Sequence, residues 1–388
     1  MKNLVLPICN FLSKGWEVSL LGLLIFFQQQ YGLDIYTIGL LSAVFIVCQI
    51  SISIFAGHFA HTLGSKNVIL LAISASGVAW LIVLLTHHLY ALYFAYACGG
   101  MSSGLFEPIG NSLVAKSATA KNRSSSIGNF AAYGDMGRIA LLAAATSAAG
   151  SLGVTYTSLA LVATTAVAFG LALMINGKKS GSGSESHHEH HIPIRSLYGN
   201  HKFRHATFAG IADSFSSSSL YIFIPFLLSA KGIPAAETGR YTVALFVGYF
   251  LGRLALGRLS DKHGAPITLM VSKVAMAALI LLLTVVAPGG ILIYAVIFML
   301  GIFTRGSSPI IRAMVADSMH EKASFHNAFS AYSFASRGAT ALSRPIFGYL
   351  ASFTGIASVF YAASAVSLFT LYPAVRYREA SSEPASTD

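Results

Sequence analysis

Long apolar runs, interrupted at short intervals by small polar clusters, fill almost the whole chain. Twelve of these runs read as helices, at 5–28, 37–57, 67–86, 90–114, 126–148, 154–175, 205–229, 237–258, 266–287, 291–316, 325–350 and 355–376. About 20 mostly apolar residues are what a helix needs to cross the hydrocarbon of a bilayer. The alternation of polarity over about ten residues that marks a membrane barrel strand does not occur. The pattern therefore predicts an all-α integral membrane protein of twelve transmembrane helices. A polar segment at 176–204 divides them six and six. The organisation expected is an N-terminal six-helix bundle over 1–175, a linker over 176–204, a C-terminal six-helix bundle over 205–376 and a tail over 377–388.

Composition sharpens this. Of the 388 residues 55% are hydrophobic and 10% charged, against about 25% charged in a soluble domain. The net charge of +11 raises the question of nucleic acid, but the basic residues sit in alternate short loops. Fifteen Lys and Arg fall on one set of loops and tails, and only Lys231 on the other. By the excess of positive charge on cytoplasmic loops, both termini and the linker are expected in the cytoplasm, and no nucleic-acid partner is expected. Cys9, Cys48 and Cys98 lie far apart inside apolar runs, as buried structural thiols rather than a disulfide framework or zinc site. The N-terminus has no cleavable signal pattern.

The linker opens Gly177-Lys178-Lys179-Ser180-Gly181-Ser182 and continues through His187, His188, His190 and His191 with two carboxylates among them. Such side chains can hold a divalent cation. The alternative is a solvated tether, and no helix or knuckle imposes ligand spacing here. No nucleophile–base grouping or metal motif stands at a membrane face, so neither enzyme activity nor a cofactor is expected.

The halves repeat. At an offset of 200, Gly32, Gly39, Gly57 and Gly64 match Gly232, Gly239, Gly257 and Gly264. Pro108-Ile109 matches Pro309-Ile310 at 201, and Phe130, Tyr133 and Arg138 match Phe329, Tyr332 and Arg337 at 199. Self-similarity of this kind marks a transporter built from two parallel halves.

Twelve helices in two six-helix repeats, with the loop Gly257-Arg258-Leu259-Ser260-Asp261-Lys262-His263-Gly264 after the second helix of a half, resemble the major facilitator superfamily. The resemblance covers essentially the whole chain. It implies two helical bundles that rock about a central cavity, with the first, fourth, seventh and tenth helices lining it. It also implies an ion pair between the loop Asp and an Arg near the end of the half's fourth helix. In the second half these are Asp261 and Arg312; in the first, His61 and Asn111 stand there instead. Both charges are missing together, as removal of a partnered pair requires. Gly257, Asp261, Gly264 and Arg312 are therefore expected to form a conformational latch used only by the second half.

A charge at bilayer depth costs at least about 2.5–3.5 kcal/mol, so each needs a partner, water or a function. The four cavity helices implied by the resemblance carry Glu17, Glu107, Asp213 and Arg305. Asp135 and Arg138 are three residues apart, on one helix face. Two readings stand for that pair: a titrating carboxylate with a built-in counter-ion, or a structural contact. Asp135, Glu17 and Glu107 are the proton-coupling candidates, because desolvation raises and a neighbouring Arg lowers a carboxylate's proton affinity. Arg305, Arg337, Arg138, Asp213, Ser217 and Tyr221 are the substrate candidates, since planar guanidiniums suit carboxylate or phosphate. Arg253 and Lys273 are read as snorkelling from helix ends, and Trp16, Phe26 and Phe27 as packing or lipid contacts.

These residues point to a proton-coupled secondary transporter of a small anionic or zwitterionic solute, working by alternating access and as a monomer in the bilayer. General resemblance to compact bacterial efflux members favours export, across the inner (cytoplasmic) membrane. The fifth helix, Gly134-Asp135-Met136-Gly137-Arg138, lacks the Gly-Pro pair common in exporters of the family, which weakens a drug-antiporter assignment. A multidrug/proton antiporter remains as the alternative, and a non-transporting membrane sensor as a further one.

Overall fold

The computed structural model describes residues 4–86, 88–117, 123–175, 198–319 and 325–382. Among these, helix is the dominant state, as expected where hydrocarbon offers backbone groups no other partner. In chain order the helices are α1 (Val5–Gly22), α2 (Leu24–Tyr31), α3 (Ile35–Thr62), α4 (Ser65–Leu85), α5 (Leu89–Ser117), α6 (Arg123–Leu152) and α7 (Val154–Leu173). After the linker come α8 (His201–Ser217), α9 (Leu220–Ala230), α10 (Ala235–His263), α11 (Ala265–Val285), α12 (Ile291–Asp317), α13 (Phe325–Thr354), α14 (Ala357–Phe369) and α15 (Leu371–Ser382).

Three passages are interrupted without changing direction. Leu23 between α1 and α2, Ser219 between α8 and α9, and Thr370 between α14 and α15 all keep right-handed helical backbone angles. The fifteen described helices thus make twelve passages. Nine passages are long and apolar enough to span a membrane. The other three, α5, α6 and α13, carry Glu107, the Asp135–Arg138 pair, and Arg337 with Arg344. Large apolar side chains such as Tyr90, Ile291 and Phe353 are exposed, as on a surface solvated by acyl chains.

The chain divides into two compact units. One is Met1–Ser184 with Pro234–Val243; the other is Glu185–Ile233 with Ala244–Asp388. In the first, α3 and α4 pack on α5, α1 packs on α6, and α4 packs on α7. Trp80, Tyr96, Phe45 and Phe27 are fully buried there. Trp16 and Phe26 are buried too, and the Trp16 Nε1 donates to Thr164 at 3.0 Å, so packing is their role. In the second unit, α8 packs on α12, α13, α14 and α15, and α11 on α12 and α14. Its core includes Phe203, Leu269, Ile310, Met314 and Tyr377.

The sequence repeat is also a packing repeat. A Cβ on Gly100 would strike the Phe45 carbonyl, and one on Gly301 the Leu245 carbonyl. The two crossings therefore occur at matching positions, offset by 200 and 201. A further pair emerges at the helix junctions, where Gly153 and Gly355 share the left-handed region with Gly64 and Gly264. In one respect the expectation fails. The stretches 57–64 and 257–264 are not loops, because α3 continues to Thr62 and α10 to His263. Only Gly64 and Gly264, at φ of 85° and 86°, make the turn.

Candidate functional site

In the first unit, α1, α5 and α6 bring five charged side chains together. Lys14 and Glu17 lie three residues apart on α1, so they share a face. The Lys14 Nζ is 2.9 Å from the Glu17 Oε2 and 2.9 Å from the Glu107 Oε2 on α5. One helical turn before Glu107, Ser103 donates to the Glu17 Oε2 at 2.9 Å. The Gln49 Nε2 on α3 in turn donates to the Ser103 Oγ at 2.7 Å. On α6, the Arg138 Nη1 donates to the Asp135 Oδ1 at 2.5 Å, and Arg138 acts electrostatically on Glu17 as well. The local sequence explains the closeness. A Cβ on Gly137 would overlap the Phe11 backbone, and one on Gly134 would crowd Asn10 and Lys14. Those two glycines let α6 lie against α1 with Asp135 and Arg138 beside them.

Lys14, Glu17, Asp135 and Arg138 are largely or wholly screened from solvent, whereas the Glu107 carboxylate is about one-third exposed. Three carboxylates and two cations give −3 + 2 = −1 when all are ionised. Among these five side chains the carboxylates thus outnumber the cations, in surroundings where burying charge is costly.

The second unit holds two separate polar groups. In the first of them, Lys273 on α11 is fully buried and ion-paired with Asp213 on α8. Lys273 also donates to the Ser307 Oγ on α12 at 3.1 Å, and Ser307 donates to Asp213 at 2.9 Å. Lys273 therefore does not snorkel. It stands eight residues into α11, about 12 Å along the axis at 1.5 Å per residue, and on the face turned into its bundle. Asp213, a substrate candidate, is engaged by that lysine.

The other group joins arginine to aromatic rings. The Arg344 Nη2 donates to the Tyr221 hydroxyl at 3.2 Å. The Tyr221 ring meets Phe246 at 5.8 Å, and Phe246 meets Tyr249 at 5.0 Å, both edge-on. The Arg305 guanidinium lies over the Tyr249 ring at 5.8 Å, a cation–π distance. Of the substrate candidates, the structure brings Tyr221 and Arg305 into this one group. Arg138 belongs to the carboxylate cluster, Ser217 is buried in α8, and Arg337 is half-buried on α13.

Asp261 and Arg312 are both exposed, and among the described residues no ion pair joins them. Gly257 has open space around it. His187, His188, His190 and His191 lie outside the described residues.

A model of the Major Facilitator Superfamily matches residues 8–205 and 206–388. The chain belongs to the major facilitator superfamily. The two matches fall on the two six-passage halves. Members with solved structures share the fold across nearly the whole chain. A nucleoside transporter, NupG (D323A mutant), superposes at TM-score 0.82 with 14% identity, over 97% of this chain and all of that one. A D-xylose–proton symporter gives 0.78 with 13% identity, over 96% and 97%. A bacterial homologue of the human lysosomal transporter Spinster, in its inward-facing and occupied conformation, gives 0.73 with 15% identity, over 97% and 96%. In sequence, Multidrug resistance protein 2 of Bacillus subtilis (strain 168) is 34% identical over 92 residues. That match spans about a quarter of the relative's length, 23%, and 24% of this chain.

Within this superfamily member, sequence reading missed the roles of Lys14, Ser103, Gln49, Lys273 and Tyr249. Lys14 was legible in principle, since a Lys three residues before a Glu in an apolar run calls for pairing. Lys273 carried a weaker signal, being the one charge in an otherwise apolar helix. Ser103, Gln49 and Tyr249 carried none, because hydroxyls, amides and tyrosines also serve ordinary helix packing.

Proposed function

We propose that the protein is a proton-coupled secondary transporter of a small anionic or zwitterionic organic solute, moving it by alternating access and in the direction of export. The observation that carries this is the cluster of Glu17, Glu107 and Asp135 with Lys14 and Arg138. Its three carboxylates share two cations, and a carboxylate held in such a group can take up and release a proton. Taking up that proton on one side and releasing it on the other is what coupling requires. Lys14 bridges Glu17 and Glu107 while Arg138 holds Asp135, so protonating one carboxylate would free a cation to rearrange within the group.

The solute class rests on the second unit, where Arg305 and Arg344 lie beside tyrosine hydroxyls and aromatic rings. Asp213 with Lys273 and Ser307 is read as a structural clamp across α8, α11 and α12. The Asp261–Arg312 latch is read as forming in another state of the cycle, because the two residues are unjoined here. The excess of Lys and Arg on one set of loops supports cytoplasmic termini in a bacterial inner membrane, and no residue described requires more than one copy of the chain.

The test is transport in proteoliposomes under an imposed pH gradient, over a panel of anions, zwitterions and lipophilic cations. Gradient-driven movement of anions or zwitterions supports the reading, and indifference to the gradient refutes it. A second reading, a multidrug/proton antiporter, is favoured by the 92-residue similarity to Multidrug resistance protein 2. It requires the gradient to drive lipophilic cations instead.

A further inference from the structure

Among the described residues, the Tyr249 hydroxyl is buried with no hydrogen-bond partner, in a side chain only 4% exposed. A buried polar group without a partner is uncommon and costs free energy. The other buried hydroxyls in that condition belong to Ser19, Ser158, Thr207 and Ser336. Each of those is short and helical, so a rotation about χ1 brings it to a carbonyl of its own helix one turn back. A tyrosine hydroxyl, at the far end of its ring, has no such refuge.

The repeat shows what the same position does when it is satisfied internally. Tyr249 matches Gln49 at the offset of 200 that pairs the glycines. In the first unit, Gln49 donates to Ser103, and Ser103 to Glu17. In the second unit, the residue matching Ser103 is Thr304, whose hydroxyl donates to the Leu300 carbonyl of its own helix. The next residue along, Arg305, matches Gly104 and lays its guanidinium over the Tyr249 ring. One half thus closes its polar chain on a carboxylate that belongs to the protein. The other half presents a hydroxyl donor and a cation, and among the described residues neither is joined to a carboxylate. Among the described residues, no carboxylate forms an ion pair with Arg305. The group continues through Phe246 to Tyr221 and Arg344.

We propose that Tyr249 and Arg305 form a carboxylate-recognition subsite in the second bundle, occupied by an organic carboxylate of the transported solute. The Tyr249 hydroxyl donates to one oxygen and Arg305 supplies the opposing charge. Arg344 is a positioning residue, which fixes the Tyr221 hydroxyl and, through the edge-on ring contacts, the aromatic wall. This rests on the solute class proposed above and narrows it from anions in general to carboxylates. Phosphate esters become an outcome that counts against it.

The experiment is thermal unfolding of the purified full chain in detergent, titrated with acetate, lactate, benzoate and succinate. Each is set beside its neutral amide, with inorganic phosphate as a further arm. Ligand that binds only the folded state raises the unfolding midpoint in proportion to its affinity. The carboxylates are expected to stabilise the protein and the amides not. Tyr249→Phe keeps the ring and removes the hydroxyl alone. Without ligand it is expected to melt at or above the wild-type temperature, since an unpaired buried group is lost. Its carboxylate affinity is expected to fall about tenfold or more, as for a hydrogen bond to a charged group. Arg305→Gln should weaken carboxylates at least as much. If Tyr249→Phe melts lower than wild type, or binds carboxylates unchanged, the subsite is wrong while the solute class survives. If phosphate stabilises and no carboxylate does, the narrowing to carboxylates is wrong. If no anion stabilises the wild type, the subsite falls together with the anionic part of the solute class, and proton coupling stands or falls on its own test.

Discussion

Lys14 reaches across 93 residues of sequence to hold Glu107, with the Nζ 2.9 Å from the Oε2, while the same nitrogen holds Glu17 at 2.9 Å. One cation thus serves two carboxylates on α1 and α5, and a third carboxylate, Asp135, shares Arg138 on α6. Lys14→Gln leaves Glu17 and Glu107 without their common counter-ion. Breaking one side of a buried pair costs about 3–5 kcal/mol, so the unfolding temperature should fall sharply. Losing a neighbouring positive charge favours the protonated form of a carboxylate in general, so the pH profile of flux should move to higher pH. A profile that stays in place would show that Lys14 does not set the proton affinity.

The Asp213–Lys273 pair offers a cleaner stability test, because neither residue belongs to the proposed coupling cluster. Asp213→Asn or Lys273→Met alone leaves one charge buried in a bundle, at a cost of about 3–5 kcal/mol. The double variant removes both charges and should recover most of that loss, giving a large coupling energy in a double-mutant cycle. The measurement is thermal unfolding in detergent. Additive losses would show that the pair acts on something other than itself.

Much of the architecture was legible because membrane helices announce themselves. Twelve runs, the midpoint seam and the repeat all follow from apolar length and from Gly32, Gly64, Gly232 and Gly264. Helix ends were less legible. The polar run His58–Thr62 reads as a loop, yet helix continues through it, because polar residues at a helix end are no obstacle once the chain has left the hydrocarbon. The charge cluster was half visible. Glu17, Glu107, Asp135 and Arg138 stand out as charges in apolar runs, whereas the partner of each depends on which helix faces which. Lys273 was misplaced for that reason, since position along a helix says nothing about the face it turns inward. Tyr249 could be found only from coordinates, where its hydroxyl is seen to lack what Gln49 has.

Gly257 and Gly264 belong to one family signature, but their physical demands differ. Gly264 turns the chain at φ 86° and ψ 145°, a positive-φ extended conformation open essentially to glycine alone, so Gly264→Ala should destabilise by about 1–3 kcal/mol. Gly257 lies in the helix with open space beside it, and Gly257→Ala should be neutral or stabilising by up to about 1 kcal/mol. If Gly257→Ala nevertheless slows transport with stability intact, the glycine is needed in another state of the cycle. A stability loss equal to that of Gly264→Ala would contradict the assignment of the turn.

Asp261 and Arg312 should matter to turnover and not to binding. Asp261→Asn and Arg312→Gln are each expected to slow solute flux severalfold while solute affinity, measured at equilibrium, stays within about twofold. Because the two are read as one contact, the double variant should be no slower than the worse single. Loss of binding in either variant would remove the latch reading.

The most direct measurement of coupling compares two modes of transport in proteoliposomes for Glu17→Gln, Glu107→Gln and Asp135→Asn. One mode is accumulation driven by an imposed pH gradient; the other is exchange of solute against solute with no gradient. A carboxylate that carries the coupled proton is needed for the first and dispensable for the second. At least one of the three variants should lose gradient-driven accumulation while keeping exchange near the wild-type rate. Wild-type gradient-driven flux in all three would contradict proton coupling through this cluster.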